Sequence, residues 1–158
     1  MTCSPVSPVP AEWVRDGVSA ITAEDIRWAR CDIKSIALLP NVMMRQKAAE
    51  AGAYEAIWVY QGMALEGAAS NLFAVFDGKA VTPPDGPRVL PGITRDVVLE
   101  LAVEQGLPVR TGAITAEELA AVLVERFGVS WRRIVLRKPG AVPGTKSVGV
   151  TIERGGEA

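Results

Sequence analysis

Apolar and polar positions change their period several times along the chain, and each change predicts an element. Gly17-Val18-Ser19-Ala20-Ile21-Thr22 alternates as a strand does. Arg27 to Ser35 mixes charge with apolar residues and suits an extended segment at the lip of a cleft. From Asn41 to Ala51 the pattern is helical: Val42, Met43 and Ala49 form an apolar side, and Arg45, Gln46, Lys47 and Glu50 a wet one. Pro40 fits the start of that helix and Gly52 its stop. Tyr54 to Tyr60 reads as a buried strand through Ile57, Trp58 and Val59, and Met63 to Glu66 pairs back across a Gln61-Gly62 turn.

Ser70 to Phe76 predicts another strand, turned by Asp77-Gly78 and returned by Lys79 to Thr82. Pro83-Pro84-Asp85-Gly86-Pro87 is a loop. Thr94 or Arg95 opens a helix to Gln105, which Gly106 ends with Pro108 beyond. A short strand covers Leu107 to Arg110. Thr115-Ala116-Glu117-Glu118 is a capping-box start for a helix to about Glu125. Before all of this, Ser4-Pro5-Val6-Ser7-Pro8-Val9-Pro10 has too many prolines for a helix or a central strand and reads as a linker or frayed end.

Composition narrows the class. The chain has 158 residues, 49% hydrophobic and 22% charged, which fits one globular domain with a real core. A formal net charge of -1 gives no reason to expect nucleic acid or an anionic membrane as a partner. Two cysteines, Cys3 and Cys31, argue against a disulfide scaffold and fit a reducing cytoplasm. No histidine is present, so histidine triads and most zinc sites are excluded and no metal is expected. No apolar run is long enough to span a bilayer, and Met1-Thr2-Cys3-Ser4-Pro5 lacks the pattern of a signal peptide.

Three short stretches carry candidate chemistry. Arg30-Cys31-Asp32-Ile33-Lys34-Ser35 offers an amine, Lys34, which is nucleophilic only when neutral. Ile33, Ile36 and nearby strands are expected to desolvate it; the plain alternative is a solvated surface charge. Leu65-Glu66-Gly67-Ala68-Ala69-Ser70-Asn71 offers a carboxylate, Glu66, with a solvent-facing strand end as its alternative. Ser70 and Asn71 either bond a neighbouring loop or cap a turn. Leu90-Pro91-Gly92-Ile93-Thr94-Arg95 offers amides at a helix start, which hold phosphate or are simply a capped helix. Arg27 supports the lysine side of the cleft or pairs on the surface. Cys31 reads as a small packing residue, and Trp13, Trp28, Trp58 and Trp131 as core or interface.

Taken in order, these stretches resemble the fold-type IV pyridoxal phosphate aminotransferases, nearest to their D-amino acid branch. Asp25 to Ser35 carries the resemblance, with Leu38-Leu39-Pro40-Asn41-Val42, Gly52-Ala53-Tyr54-Glu55-Ala56-Ile57, Glu66-Gly67, Ser70-Asn71-Leu72-Phe73 and Leu90 to Arg95. The resemblance implies pyridoxal 5'-phosphate as cofactor. Lys34 would hold it covalently and carry a proton to and from the substrate, and Glu66 would face the ring nitrogen. Leu90 would pack on the ring, and Ile93 and Thr94 would hold the phosphate. It also implies an α+β fold: a mixed, mostly antiparallel sheet curled into a partial barrel with helices outside.

The implied organisation is a linker over residues 1–13, a partial cofactor-binding large domain over 14–123, and a divergent tail over 124–158, read out of frame or truly different. The family's phosphate-binding arginine and the residues for the substrate carboxylate would belong to a smaller domain preceding this chain. The implied reaction moves an amino group from a D-alanine-like D-amino acid to a 2-oxo acid, in a homodimer when intact. Branched-chain aminotransferase and aminodeoxychorismate lyase are alternatives within the family, and a non-catalytic remnant is the alternative outside it.

Overall fold

The computed structural model describes residues 10–121, 133–137 and 149–153. Helix α1, Ala11–Asp16, starts directly after Pro10, where the fixed proline φ suits a helix entrance. Strand β1, Ala20–Glu24, leads through a long connection to helix α2, Leu39–Glu50, and then to strand β2, Glu55–Tyr60. β1 and β2 are parallel, so α2 is the crossover that parallel strands require. β3, Met63–Gly67, returns antiparallel to β2, with the register shifting between Ile57 and Val59. β4, Ala74–Phe76, and β5, Lys79–Thr82, form a hairpin, and helix α3, Ile93–Glu104, crosses to β6, Val109–Thr111, parallel to β5. β7, Ile114–Thr115, precedes helix α4, Ala116–Ala121, and two later strands are β8, Arg133–Arg137, and β9, Gly149–Glu153.

The larger sheet runs β7-β3-β2-β1-β9-β8 and the smaller β4-β5-β6. Most pairings are antiparallel, as expected, and the fold is α+β; among the described residues neither sheet closes into a barrel. Because side chains alternate along a strand, neighbouring residues of β1 and β2 feed different cores. Ala20 and Ile57 join Ala64, Val81, Ile114 and Leu119 on one face. Ile21, Ala56 and Trp58 join Met44 and Ala48 of α2 on the other. The expected apolar side of α2 is corrected here: Met44 and Ala48, one turn apart, are buried, whereas Val42 is 60% and Met43 45% exposed. Packing on β2 selects the face that small Ala48 lets approach closely, and local apolar content does not report that.

Local chemistry accounts for the boundaries. Gly52 follows α2 at φ +69° and Gly106 follows α3 at φ +66°. Ala53 N–H donates to Ala48 O and Leu107 N–H to Ala102 O, closing both helices by a six-to-one bond over the left-handed glycine. Gln61-Gly62 and Asp77-Gly78 have positive φ at both positions, the two-residue turn that matches strand twist. β4 is shorter than the strand expected over 70–76: Asn71 pairs with Glu66 only as an isolated antiparallel bridge, Gly67 N–H donates to Ser70 O at 2.7 Å, and the ladder with β5 starts at Ala74.

The capping box is present: Glu118 N–H donates to Thr115 Oγ1 at 2.9 Å and Thr115 N–H to Glu118 Oε2 at 2.8 Å. The Thr115 backbone N–H, and after it the Thr115 side chain, lower the pKa of the Glu118 carboxyl. Thr115→Ala is expected to destabilise the chain by about 1 kcal/mol, read from urea midpoints. The helix's expected run to Glu125, Trp131, the first nine residues of the linker and the tail apart from β8 and β9 lie outside the described residues.

Candidate functional site

An open cleft of about 690 Å³ lies where the β1–α2 connection faces the end of β3. Arg27, Cys31, Lys34, Glu66, Asn71 and Leu90 are among the residues lining it. The amine, the carboxylate and Leu90 therefore share one hollow. Ile93 and Thr94 are not in that lining; they open α3 three and four residues after Leu90, and both are exposed. Gly92, the N-cap, provides no side-chain cap, which leaves the first-turn N–H groups without a side-chain acceptor. Arg95 fixes this helix end to β5: its Nε donates to Thr82 Oγ1 at 3.2 Å, and its Nη2 to Pro83 O at 3.0 Å.

Lys34 is exposed, and the expectation that Ile33 and Ile36 enclose it is not met, with Ile33 44% and Ile36 97% exposed. The segment 33–38 runs outside the sheet, so no core element of the described chain covers it. Glu66 is the opposite case. It is buried at the end of β3, and its strand-end exposure is ruled out.

Glu66 Oε1 accepts from Arg27 Nη1 at 2.5 Å, and Oε2 accepts from Leu90 N–H at 3.0 Å. Asn71 Nδ2 donates to Leu90 O at 2.9 Å and to Glu66 Oε2 at 3.3 Å. Of the two roles considered for Asn71, it takes the loop-bonding one. Burial pushes the Glu66 carboxyl up, and the bonds from Arg27 and Leu90 pull it part of the way back. For Arg27 burial works against the charge, and its bonds to Asp25 and Glu66 outweigh it, so the guanidinium is held more firmly than usual.

Arg27 is no surface partner. Its side chain is 5% exposed, lies 5.1 Å from the Trp58 ring centroid and pairs with Asp25 as well as Glu66. Asp25 is itself held by Arg88 Nη1 at 3.2 Å, and Arg88 sits over the Tyr60 ring. Residue-by-residue reading had no part for Asp25 or Arg88, because no local pattern links positions 63 residues apart. Cys31 is buried, as expected; its thiol donates to Trp28 O at 3.1 Å, and burial raises its pKa. Trp58 is wholly buried, while Trp13 and Trp28 are 39% and 49% exposed.

Gly92 has a steric duty. A Cβ there would stand 2.0 Å from Asn71 Oδ1. Gly92→Ala is expected to displace Asn71 and to destabilise by about 1–3 kcal/mol, as overpacking does. Adding Asn71→Ala should recover part of that loss, a coupling that a double-mutant cycle on urea midpoints reads directly.

The description of the amino-transferase class IV family matches residues 1–123. D-alanine aminotransferase of Bacillus licheniformis is 48% identical over 110 residues, which cover 70% of this chain and 39% of that protein. Among solved structures, a hypothetical aminotransferase from Mycobacterium tuberculosis in its PLP-bound form is similar at TM-score 0.63 and 30% identity, over 73% of this chain and 46% of that one. The branched-chain amino acid aminotransferase of Escherichia coli is similar at TM-score 0.59 and 33% identity, over 72% and 39%. The chain thus spans less than half the length of each.

Proposed function

Because this chain belongs to the amino-transferase class IV family, we propose that it carries the cofactor cleft of a pyridoxal phosphate-dependent transaminase that moves an amino group from a D-alanine-like D-amino acid to a 2-oxo acid. One observation carries the reading: Lys34, Glu66 and Leu90, far apart in sequence, line a single cleft. The donor set suits the cofactor, with an amine, a buried carboxylate and an apolar side chain in the cleft, and a helix start without a side-chain cap three residues after Leu90.

When bound, pyridoxal phosphate supplies an electron sink. Lys34 would hold it covalently and would move a proton at the substrate Cα. Glu66 would keep a proton on the ring nitrogen, and Leu90 would pack against the cofactor. The amides of Ile93 and Thr94, with the Thr94 hydroxyl and the positive end of the α3 dipole, would bind the phosphate. Val97, Val98 and Leu101 of α3 are 44%, 41% and 51% exposed, an apolar face that supports a homodimer. The amino donor and the 2-oxo acid are the small-molecule partners, and the cytoplasm is the place of work. Among the described residues no helix is long and apolar enough to cross a membrane.

The test mixes the full chain with pyridoxal phosphate and seeks a visible absorbance band, then offers D-alanine or L-leucine. A band that D-alanine discharges faster supports the reading. Faster discharge by L-leucine favours the branched-chain alternative, which the likeness to the Escherichia coli enzyme also supports. A band that neither amino acid discharges favours a non-catalytic binder, and no band overturns the cofactor assignment.

A further inference from the structure

We propose that Arg27 is a positioning residue whose guanidinium fixes the Glu66 carboxylate in place and in its charged form, ready for a cationic ring nitrogen. The assignment rests on the reading of Glu66 given above. It alters the part first given to Arg27, from a support of the lysine side of the cleft to a group that acts through Glu66.

The donors decide this. A guanidinium has five N–H groups. Arg27 directs Nε at Asp25 Oδ1, Nη1 at Glu66 Oε1, and Nη2 at both Asp25 Oδ2 and Arg88 O. One N–H is left, too few for the bidentate grip by which arginine holds a phosphate or carboxylate. The acceptors point the same way. A carboxylate offers about four acceptor positions. Those of Glu66 receive Arg27 Nη1, Leu90 N–H and Asn71 Nδ2, so one stays open, and Glu66 lines the cleft.

The arrangement is also stiff. Asp25 anchors Arg27 from the far side, Arg88 anchors Asp25, and Asp25 N–H donates to Val59 O at 2.8 Å, which ties the row to β2. The charged and titratable groups around Glu66 are few. Asp25 opposes its charge, Cys31, Lys34 and Arg45 line the same cleft, and Arg88 lies beyond Asp25. Arg27 is the one cation among the described residues that hydrogen-bonds Glu66. Burial favours protonation of this carboxyl, and a protonated Glu66 cannot stabilise a proton on a ring nitrogen.

The test follows the Glu66 carboxyl signal against pH by carbon NMR in the full chain without cofactor, assigned through Glu66→Gln. In Arg27→Met the midpoint is expected to rise by at least about one pH unit, a tenfold change in proton affinity, and Arg27→Lys should recover most of it. A folded Arg27→Met chain with an unmoved midpoint overturns the proposal. Should that variant fail to fold, the unaltered chain decides: Arg27 guanidinium nitrogen signals must inflect at the Glu66 midpoint, and separate midpoints overturn the assignment. With pyridoxal phosphate added, the visible band should change with pH in step with Glu66. If no band forms while the cofactor-free shift is seen, the cofactor reading fails and the hold of Arg27 on Glu66 stands.

Discussion

Replacing Lys34 with alanine is expected to abolish the visible band of the chain mixed with pyridoxal phosphate. It should also slow the D-alanine half-reaction by about 10⁴-fold, the upper end of what a positioned acid–base supplies, because the covalent attachment goes with it. The same change should leave stability within about 0.5 kcal/mol, since Lys34 is exposed and holds up no core element. Those two outcomes belong together. A Lys34→Ala chain that keeps the band would move the covalent chemistry to another amine. A chain that loses both band and fold would make the residue structural. Stopped-flow absorbance and a urea titration on the same preparation separate the cases.

Glu66→Ala should be the most destabilising of the substitutions considered, by about 3–5 kcal/mol, as expected when one partner of a buried pair is removed. Arg27 would keep Asp25 but lose the acceptor on its other side, and Leu90 N–H would lose its carboxylate oxygen. Glu66→Gln keeps an acceptor at the same place and should cost less, about 1–3 kcal/mol. The pH dependence has a definite sign. Burial raises the folded-state pKa of Glu66 above its unfolded value, so the folded chain binds that proton more tightly. The contribution is complete below the ordinary glutamate pKa and is lost as pH rises through the raised one. Urea midpoints of the unaltered chain should carry that decline, and Glu66→Gln should flatten it. Equal pH slopes in the two chains would show that Glu66 titrates alike folded and unfolded.

Features decided within a few residues were legible without coordinates. The Gln61-Gly62 and Asp77-Gly78 turns, the glycine stops of α2 and α3 and the Thr115–Glu118 box depend on φ freedom or on side-chain reach over one turn. The order of the Lys34, Glu66 and Leu90 stretches was equally legible as a family resemblance. Their convergence was implied by that resemblance alone and by no local pattern, because it depends on β1 lying parallel to β2 while β3 returns antiparallel and presents Glu66 at its end. Tertiary packing also chose Met44 and Ala48 as the buried face of α2, and left Ile36 in solvent where a local reading expected cover. It alone built the row Arg88–Asp25–Arg27–Glu66, whose members come from three segments. Charge pairs at such separations leave no periodic trace in sequence. They form only when strand register and loop closure bring the groups together in a place where burial makes an unpaired charge costly.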